Sequence, residues 1–394
     1  MGVTVVGLDG VALPPAAVQA LAGARVVVGA PHQLAAVSVP VGAAVLGPAE
    51  LDGLDGLDGL DGLAGTSPVV VLASGDPGFF GIVRVLRERG LRPVVLPARS
   101  SVARAFALLG RSWDDVAVVS AHGRSLRGAL NMCRAHPAVA VLAGPGTGAV
   151  EIIAGLVGWR RTVLVAEDLG GPEERVRRFT SGPVRDPHVV LCLAEEHAVP
   201  ARGWIAGGPP VPPAAGWALD EAEFSHRDGM ITKLEVRALA LARLAPGPGR
   251  LVWDLGAGSG SVGVECARLG AAVVAVERDR AQCARLVANA SAHRVDVRLV
   301  EGQAPAVLRG LPEPDAVFVG GGGPDVVAAA ARACPRVVVA LAALDRLAPC
   351  RVALREAGHQ VDGVQLAASR FAELPDGSVR LAATNPVLLL WGWR

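Results

Sequence analysis

Lysine is nearly missing from this chain. Lys233 is the single one in 394 residues, and arginine supplies every other basic side chain. Tyrosine is absent and aromatic residues make up 4%, which leaves few rings to stack on bases. The net charge is +1, so no overall basic field draws the chain to nucleic acid, and no such partner is expected. Six cysteines (133, 192, 266, 283, 334 and 350) are scattered with no C-x-x-C pair. Reduced thiols and a cytoplasmic setting are therefore expected. The opening "MGVTVVGLDG" enters a strand-like run with no basic and then apolar leader, so no signal peptide is read. Long apolar runs are lacking too. Ala138–Trp159 is interrupted by Pro145 and Glu151, and Val326–Leu344 by Arg332, Pro335 and Arg336. Neither makes an unbroken span of about 20 residues, and no membrane contact is expected. Neither a Ser-His-Asp arrangement nor a metal-ligand cluster is found, and no metal is expected.

What is present suits large buried cores: 51% of residues are hydrophobic and 19% charged. The length suggests two or three domains of roughly 100–200 residues. In the first half, β-branched runs at Val3–Leu8, Arg25–Gly29, Pro68–Ser74, Pro93–Pro97, Val116–Ser120, Val139–Ala143, Thr162–Ala166 and His188–Leu193 alternate with helix-like segments. That alternation implies parallel α/β layers. The run "LDGLDGLDGLDGLAG", Leu51–Gly65, interrupts them. It reads as an expanded surface loop; its acidic spacing does not match a calcium-binding EF-hand. Residues 201–223 are rich in proline and glycine and read as a linker between domains at 1–200 and 224–394. Seven further strands are expected after it, at Arg250–Leu255, Ala272–Val276, Val297–Val300, Ala316–Val319, Val337–Leu341, Val361–Leu366 and Val387–Trp391. With helices between them they make a doubly wound domain.

The stretch "LVWDLGAGSGSVGVECARLGAAVVAVERDR" carries the strongest signal. A strand reaches Asp254, the loop Gly256-Ala257-Gly258-Ser259-Gly260 follows, and a helix starts near Ser261. Glycines let the chain turn sharply and let a ligand approach the main chain. A second strand ends at Glu277, placed to accept hydrogen bonds from two ribose hydroxyls. Dinucleotide binders need G-x-G-x-x-G facing a pyrophosphate; here the spacing is G-x-G-x-G, with Ser261 where the third glycine would stand. Asp254 adds negative charge, which disfavours a pyrophosphate and suits a cationic sulfonium nucleoside. An S-adenosylmethionine site is expected. The turn Gly302–Ala304 would flank the adenine, and Gly320–Gly323 would open a cleft at the carboxyl edge of the sheet.

"ITKLEVRALALARL", "WDLGAGSGSVGVE", "EGQAPAVL" and "PDAVFVGGGG" together resemble the decarboxylating methyltransferases of the corrin (vitamin B12) pathway. The first half resembles the tetrapyrrole methylases through "VTVVGLDG", "VVVGAPHQL", "VLASGDPGFFGI", "VLPARSSVARAFALLGRSWDDVAVVSAHGR" and "GPGTGAVEIIAGL". Both halves in this order are similar to the fused precorrin-6Y C-methyltransferase (decarboxylating) family. The resemblance implies an α/β chain: a two-lobed tetrapyrrole methylase fold, with its lobe boundary near 98–115, then a class I, Rossmann-like, seven-stranded methyltransferase domain. It further implies methylation of an anionic precorrin-6 macrocycle at meso carbons 5 and 15, decarboxylation of an acetate side chain to give precorrin-8, one S-adenosylmethionine per half, and a homo-oligomer. By the same resemblance Thr232, Gly256, Gly258, Gly260, Glu277 and Ala304 would hold the second cofactor, and Ser74, Gly75, Asp76, Ser100 and Ser101 would line the first. Two other readings stay open: a small-molecule methyltransferase fused to an unrelated α/β domain, and a non-catalytic tetrapyrrole carrier.

A substrate with many carboxylates calls for arginine anchors. Arg124 and Arg127 follow a strand end in the first half, and Arg237 lies in the second. His122 either caps its loop or donates a proton in the pocket. "TKLE" reads as a capping box, with Thr232 at the cap and Glu235 reaching back to it. Leu234, Ala238, Leu241 and Ala245 would form the apolar face of the helix. Lys233 would then occupy the first helical position, where its charge opposes the helix dipole. It is either a remnant of arginine-biased composition or a cation held near substrate carboxylates.

Overall fold

A computed structural model describes residues 2–48, 68–186, 188–197, 206, 216–227 and 231–394. The Leu-Asp-Gly run and most of the expected linker lie outside the described residues. The chain divides into two compact units. One comprises Met1–Arg124, Ala140–Ile153 and Thr162–Ala206; the other comprises Ser125–Val139, Ala154–Arg161 and Gly207–Arg394. The short segments Ser125–Val139 and Ala154–Arg161 thus group with the second unit, although they precede residue 200.

The first unit contains a five-stranded sheet built from β1 (Val3–Leu8), β2 (Val26–Val28), β3 (Ala44–Leu46), β4 (Val69–Ser74) and β5 (Val94–Leu96). Their order is β3-β2-β4-β1-β5. The strands pair in parallel, with Leu8 opposite Ser74 at the carboxyl edge. Both faces are buried, which is why β4 reads as an unbroken apolar run rather than an alternation. Val3, Val5, Val26, Val28, Val69 and Val71 pack on one face with Leu86. Val6, Val27, Val70 and Leu72 pack on the other with Ala17 and Leu21. Each of these valine and leucine side chains contributes about 1.5–3 kcal/mol by leaving water.

A second five-stranded sheet holds β6 (Ala117–Ser120), β7 (Ala138–Leu142), β8 (Thr162–Glu167), β9 (Arg175–Arg178) and β10 (Val189–Leu193), in the order β6-β7-β10-β8-β9. Two strands of this half, β3 and β9, lie outside the expected set. β3 is three residues long, and "RVRR" lacks an apolar signal. β9 is stable at the sheet edge because the buried Glu167 on β8 pairs with Arg175 at 2.6 Å and Arg177 at 2.9 Å.

The second unit carries a seven-stranded sheet from β11 (Leu251–Leu255), β12 (Ala272–Glu277), β13 (Arg298–Glu301), β14 (Ala316–Val319), β15 (Arg336–Leu341), β16 (Gln360–Leu366) and, beyond a hairpin, β19 (Val387–Trp393). The order is β13-β12-β11-β14-β15-β19-β16. β11 to β15 pair in parallel, and β19 runs antiparallel between β15 and β16. This is the expected Rossmann-like sheet. The hairpin of β17 (Ser369–Glu373) and β18 (Val379–Ala383) is an addition to it. Its residues are mostly exposed and give no buried face to read in the sequence. The helix Leu234–Leu244 buries Val236, Arg237, Ala240, Leu241 and Leu244. Its inward face is therefore rotated from the expected one, since Arg237 rather than Ala238 points inward. All six cysteines are buried, and none is in a disulfide. Among the described residues, no helix is long and apolar enough to cross a membrane.

Candidate active site

In the second unit the glycine loop joins β11 to the helix Ser261–Arg268. The amides of Gly256 and Ala257 donate to the carbonyl of Val276 at 2.9 and 3.1 Å, which ties the loop to β12. Gly256 has φ +69, and a Cβ there would meet the amide nitrogen of Gly321 at 2.9 Å. Gly260 has φ +79, and a Cβ would meet the Leu286 side chain at 2.5 Å. Neither position accepts a larger residue without movement. Glu277 closes the arrangement. One carboxylate oxygen accepts the amide of Gly258 at 2.8 Å, and the other accepts those of Arg278 and Asp279 at 2.8 and 2.9 Å. A carboxylate offers about four acceptor sites, so capacity remains for a ligand diol.

Gly256, Gly258, Glu277 and Ala304 line a cavity of about 550 Å³. A Cβ on Gly258 would meet nothing within 4 Å, so the main chain there faces open space. Thr232, Asp254, Ala257, Ser259 and Gly260 do not line this cavity. Asp254 is wholly buried beneath the loop, and its carboxylate accepts the Gly263 amide at 2.8 Å. Its other oxygen is buried without a hydrogen-bond partner. Burial pushes its pKa up to about 7, and the charge of Glu277 adds to the rise, against the opposing Gly263 hydrogen bond. The expectation that Asp254 supplies negative charge to the ligand is corrected: it supports the loop from below. Ser259 is likewise buried, with its carbonyl accepting from the Asn289 amide group at 2.8 Å.

In the first unit Ser74, Asp76, Ser100 and Ser101 line one cavity of about 310 Å³ at the carboxyl edge of β4. Gln33 donates to the Ser74 hydroxyl at 3.0 Å. Asp76 accepts the Gly78 amide at 2.8 Å, and Ser100 caps the helix Ser101–Leu109 by accepting the Ala103 amide at 3.1 Å. Gly75 lies outside the lining, with its amide donating to the carbonyl of Leu8 at 2.6 Å. His122 and Arg124 stand on an exposed loop after β6 and do not line this cavity.

Residues 6–184 match the model of the tetrapyrrole (corrin/porphyrin) methylases, and residues 222–373 match the precorrin methyltransferase domain. A Sinorhizobium relative, named precorrin-6Y C(5,15)-methyltransferase [decarboxylating], is 44% identical over 65% of this chain and 63% of its own length. The chain thus spans under two thirds of that relative. A Pyrobaculum calidifontis relative, named probable cobalt-precorrin-6B C(15)-methyltransferase (decarboxylating), is 34% identical over 45% of this chain and 96% of its own length. This chain belongs to the precorrin methyltransferase family. A crystal structure of precorrin-6Y C5,15-methyltransferase from Geobacter metallireducens GS-15 matches at 30% identity and a TM-score of 0.42, over 45% of this chain and 96% of that one.

Within the precorrin methyltransferase domain the helix Leu234–Leu244 departs from the capping box. Lys233, not Thr232, is the cap residue, with no side-chain cap of its own. The cap comes from far away in sequence: Glu221 accepts the Leu234 amide at 2.9 Å. Glu235 instead faces Arg370 at 3.3 Å. Lys233 is half-buried and acts on the Glu221 carboxylate through its charge. Arg237 is not a substrate anchor. It is fully buried, donates to the Thr232 carbonyl at 2.6 Å and to the Leu219 carbonyl, faces Glu265 at 3.4 Å, and stacks on Phe224. Arg127 is also committed, to Glu313 at 3.0 Å and Asp315 at 2.9 Å within the second unit.

Three arginines that line the precorrin methyltransferase cavity, Arg227, Arg278 and Arg346, escape sequence reasoning. Only Arg278 carries a signal, its place directly after Glu277. In the methylase half Asp9, outside the 310 Å³ cavity, pairs with Arg99 at 2.8 Å, and its carbonyl accepts from Arg104.

Proposed function

We propose that this chain is a bifunctional enzyme of corrin synthesis. It methylates a precorrin-6 macrocycle at meso carbons 5 and 15 and decarboxylates an acetate side chain, giving precorrin-8. One S-adenosylmethionine binds in each half, within residues 1–200 and within 224–394, and the enzyme works as a cytoplasmic homo-oligomer. The observation that carries the reading is the succession of a tetrapyrrole methylase match and a precorrin methyltransferase match in one chain, each half with a cavity at the carboxyl edge of a parallel sheet.

When bound, S-adenosylmethionine supplies an electrophilic methyl group on a sulfonium. The residues of the second cavity suit it. Glu277 accepts from the ribose hydroxyls, Gly256 and Gly258 let the main chain lie against the ligand, and Ala304 flanks the base. Ser74, Asp76, Ser100 and Ser101 hold the ligand of the first half. An electron-rich corrin carbon needs alignment more than activation, and orientation supplies up to about 7–11 kcal/mol of the barrier. Arg227, Arg278 and Arg346 stand at the second cavity, where guanidinium groups suit the substrate's carboxylates and hold them in register. Thr232 and Lys233 contribute through the entry to the helix at Leu234.

Calorimetric titration of the full chain with S-adenosylhomocysteine tests the cofactor reading, with two equivalents expected. Mass spectrometry of precorrin-6Y incubated with the chain and S-adenosylmethionine tests the chemistry. The expected product has gained two methyl groups and lost one carbon dioxide. A single binding equivalent, or a product methylated without loss of carbon dioxide, refutes the bifunctional reading.

A further inference from the structure

Four of the seven phenylalanines, at 106, 179, 224 and 318, are buried, as apolar rings should be. Phe79 and Phe80 are not. They are 37% and 43% exposed, and both line the 310 Å³ cavity of the methylase half. Their rings meet edge to face, with centroids 5.0 Å apart. Phe80 sits at φ +54, in the left-handed region that a bulky residue rarely adopts. The turn that holds it there is tightly fixed. Asp76 accepts the Gly78 amide, and a Cβ on Gly81 would meet the Pro77 carbonyl oxygen at 2.4 Å. The chain therefore accepts backbone strain in order to present two rings to water beside a ligand cavity, and such outliers point to function.

The size of the cavity decides what the rings meet. At about 310 Å³ it lies near the low end of ligand pockets, roughly 300–1,000 Å³. Its polar side chains, Ser74, Asp76, Ser100 and Ser101, suit a nucleoside-sized group. A tetrapyrrole with its ring of carboxylate arms does not fit inside and has to lie across the mouth. We propose that Phe79 and Phe80 form an aromatic shelf that takes the apolar face of the tetrapyrrole and so sets its position over the methyl donor. The proposal rests on the tetrapyrrole reading above. It makes the pair specificity-determining residues for the macrocycle and not for the cofactor.

Uroporphyrin I, a flat tetrapyrrole octacarboxylate, serves as the probe, titrated into the full chain and followed by porphyrin fluorescence. Phe80→Gly is the informative variant because glycine adopts φ +54 without strain. It is expected to weaken porphyrin binding about tenfold, the scale of a lost aromatic contact. S-adenosylhomocysteine affinity stays unchanged, and the thermal midpoint does not fall. Phe79→Ala should weaken porphyrin binding in the same way. Wild-type porphyrin affinity in both variants overturns the shelf and leaves the methylase reading standing. A fall in S-adenosylhomocysteine affinity assigns the rings to the adenine and also overturns it. Loss of thermal stability together with porphyrin affinity assigns them to folding, and the shelf falls there too. Failure of the wild-type chain to bind the porphyrin overturns both the shelf and the tetrapyrrole reading.

Discussion

Asp254 offers a measurement that isolates one buried carboxyl group. It is fully buried beneath the glycine loop, with one oxygen bound to the Gly263 amide and the other without a partner. Its folded pKa is raised from 3.8 to about 7, chiefly by burial. A carboxyl group with a raised folded pKa stabilises the fold while it is protonated, and that contribution is lost as pH rises through the folded value. With these two pKa values the loss between pH 5 and 8 comes to roughly 2.5 kcal/mol. Asp254→Asn removes the titration. The stability difference between wild type and variant should therefore narrow, or reverse in favour of the variant, by about that amount across this range. Glu167 and Glu221, both lowered to about 2, titrate below the window. His359 has its pKa lowered from 6.5, mainly by burial, but it is common to both proteins and cancels. The assay is urea denaturation at several pH values, followed by hydrogen-exchange mass spectrometry on peptides from residues 251–268. Parallel pH profiles for the two proteins would refute the reasoning, because they would mean that Asp254 is ionised throughout.

Glu277→Gln should weaken S-adenosylhomocysteine binding at the second site by at least about tenfold, since a charge-assisted hydrogen bond contributes roughly 1.5–3 kcal/mol. Binding at the first site should be unchanged in the same calorimetric titration. Arg237→Ala should destabilise the second unit by about 1–3 kcal/mol, the cost of leaving the Thr232 and Leu219 carbonyls without this donor, while Arg268 still pairs with Glu265 at 3.0 Å; a variant of wild-type stability that no longer binds substrate would restore Arg237 as an anchor. Glu221→Gln should remove an acid-labile contribution. Burial raises the Glu221 pKa, but the hydrogen bonds from Arg370 and the Leu234 amide outweigh it and hold the group at about 2. The wild-type contribution, about 3 kcal/mol, is present above pH 4.5 and fades as pH falls toward 2, so the two urea midpoints should converge in acid.

Much of this is legible in the linear chain. The loop from Gly256 to Gly260 and the acidic strand end at Glu277 announce themselves because their chemistry is local: tight turns need glycine, and the carboxylate closes the next strand. The uninterrupted valine runs likewise report strands buried on both faces. The failures share one cause, which is distance in sequence. "TKLE" has the letters of a capping box, yet the helix begins one residue later because Glu221, thirteen positions upstream, takes the Leu234 amide. Arg237 looks like an exposed anchor until Leu219, Phe224 and Glu265 are folded around it. Asp254 reads as a charge near a ligand, but burial and the missing second partner turn it into a group poised between its charged and neutral forms. Strand β9 hides behind four residues of which three are arginine, because the counter-charge lies on a neighbouring strand.

The burial of every cysteine has a practical consequence. With all six thiols enclosed, a maleimide or iodoacetamide reagent meets sulfur only in molecules that have opened. Where the pKa is also raised, as for Cys334 at about 11, chiefly through burial, the closed form holds almost no reactive thiolate at neutral pH. Alkylation rates thus become a clock for local opening, residue by residue. The native surface is also a blank background on which one introduced cysteine would carry a fluorophore to a single address.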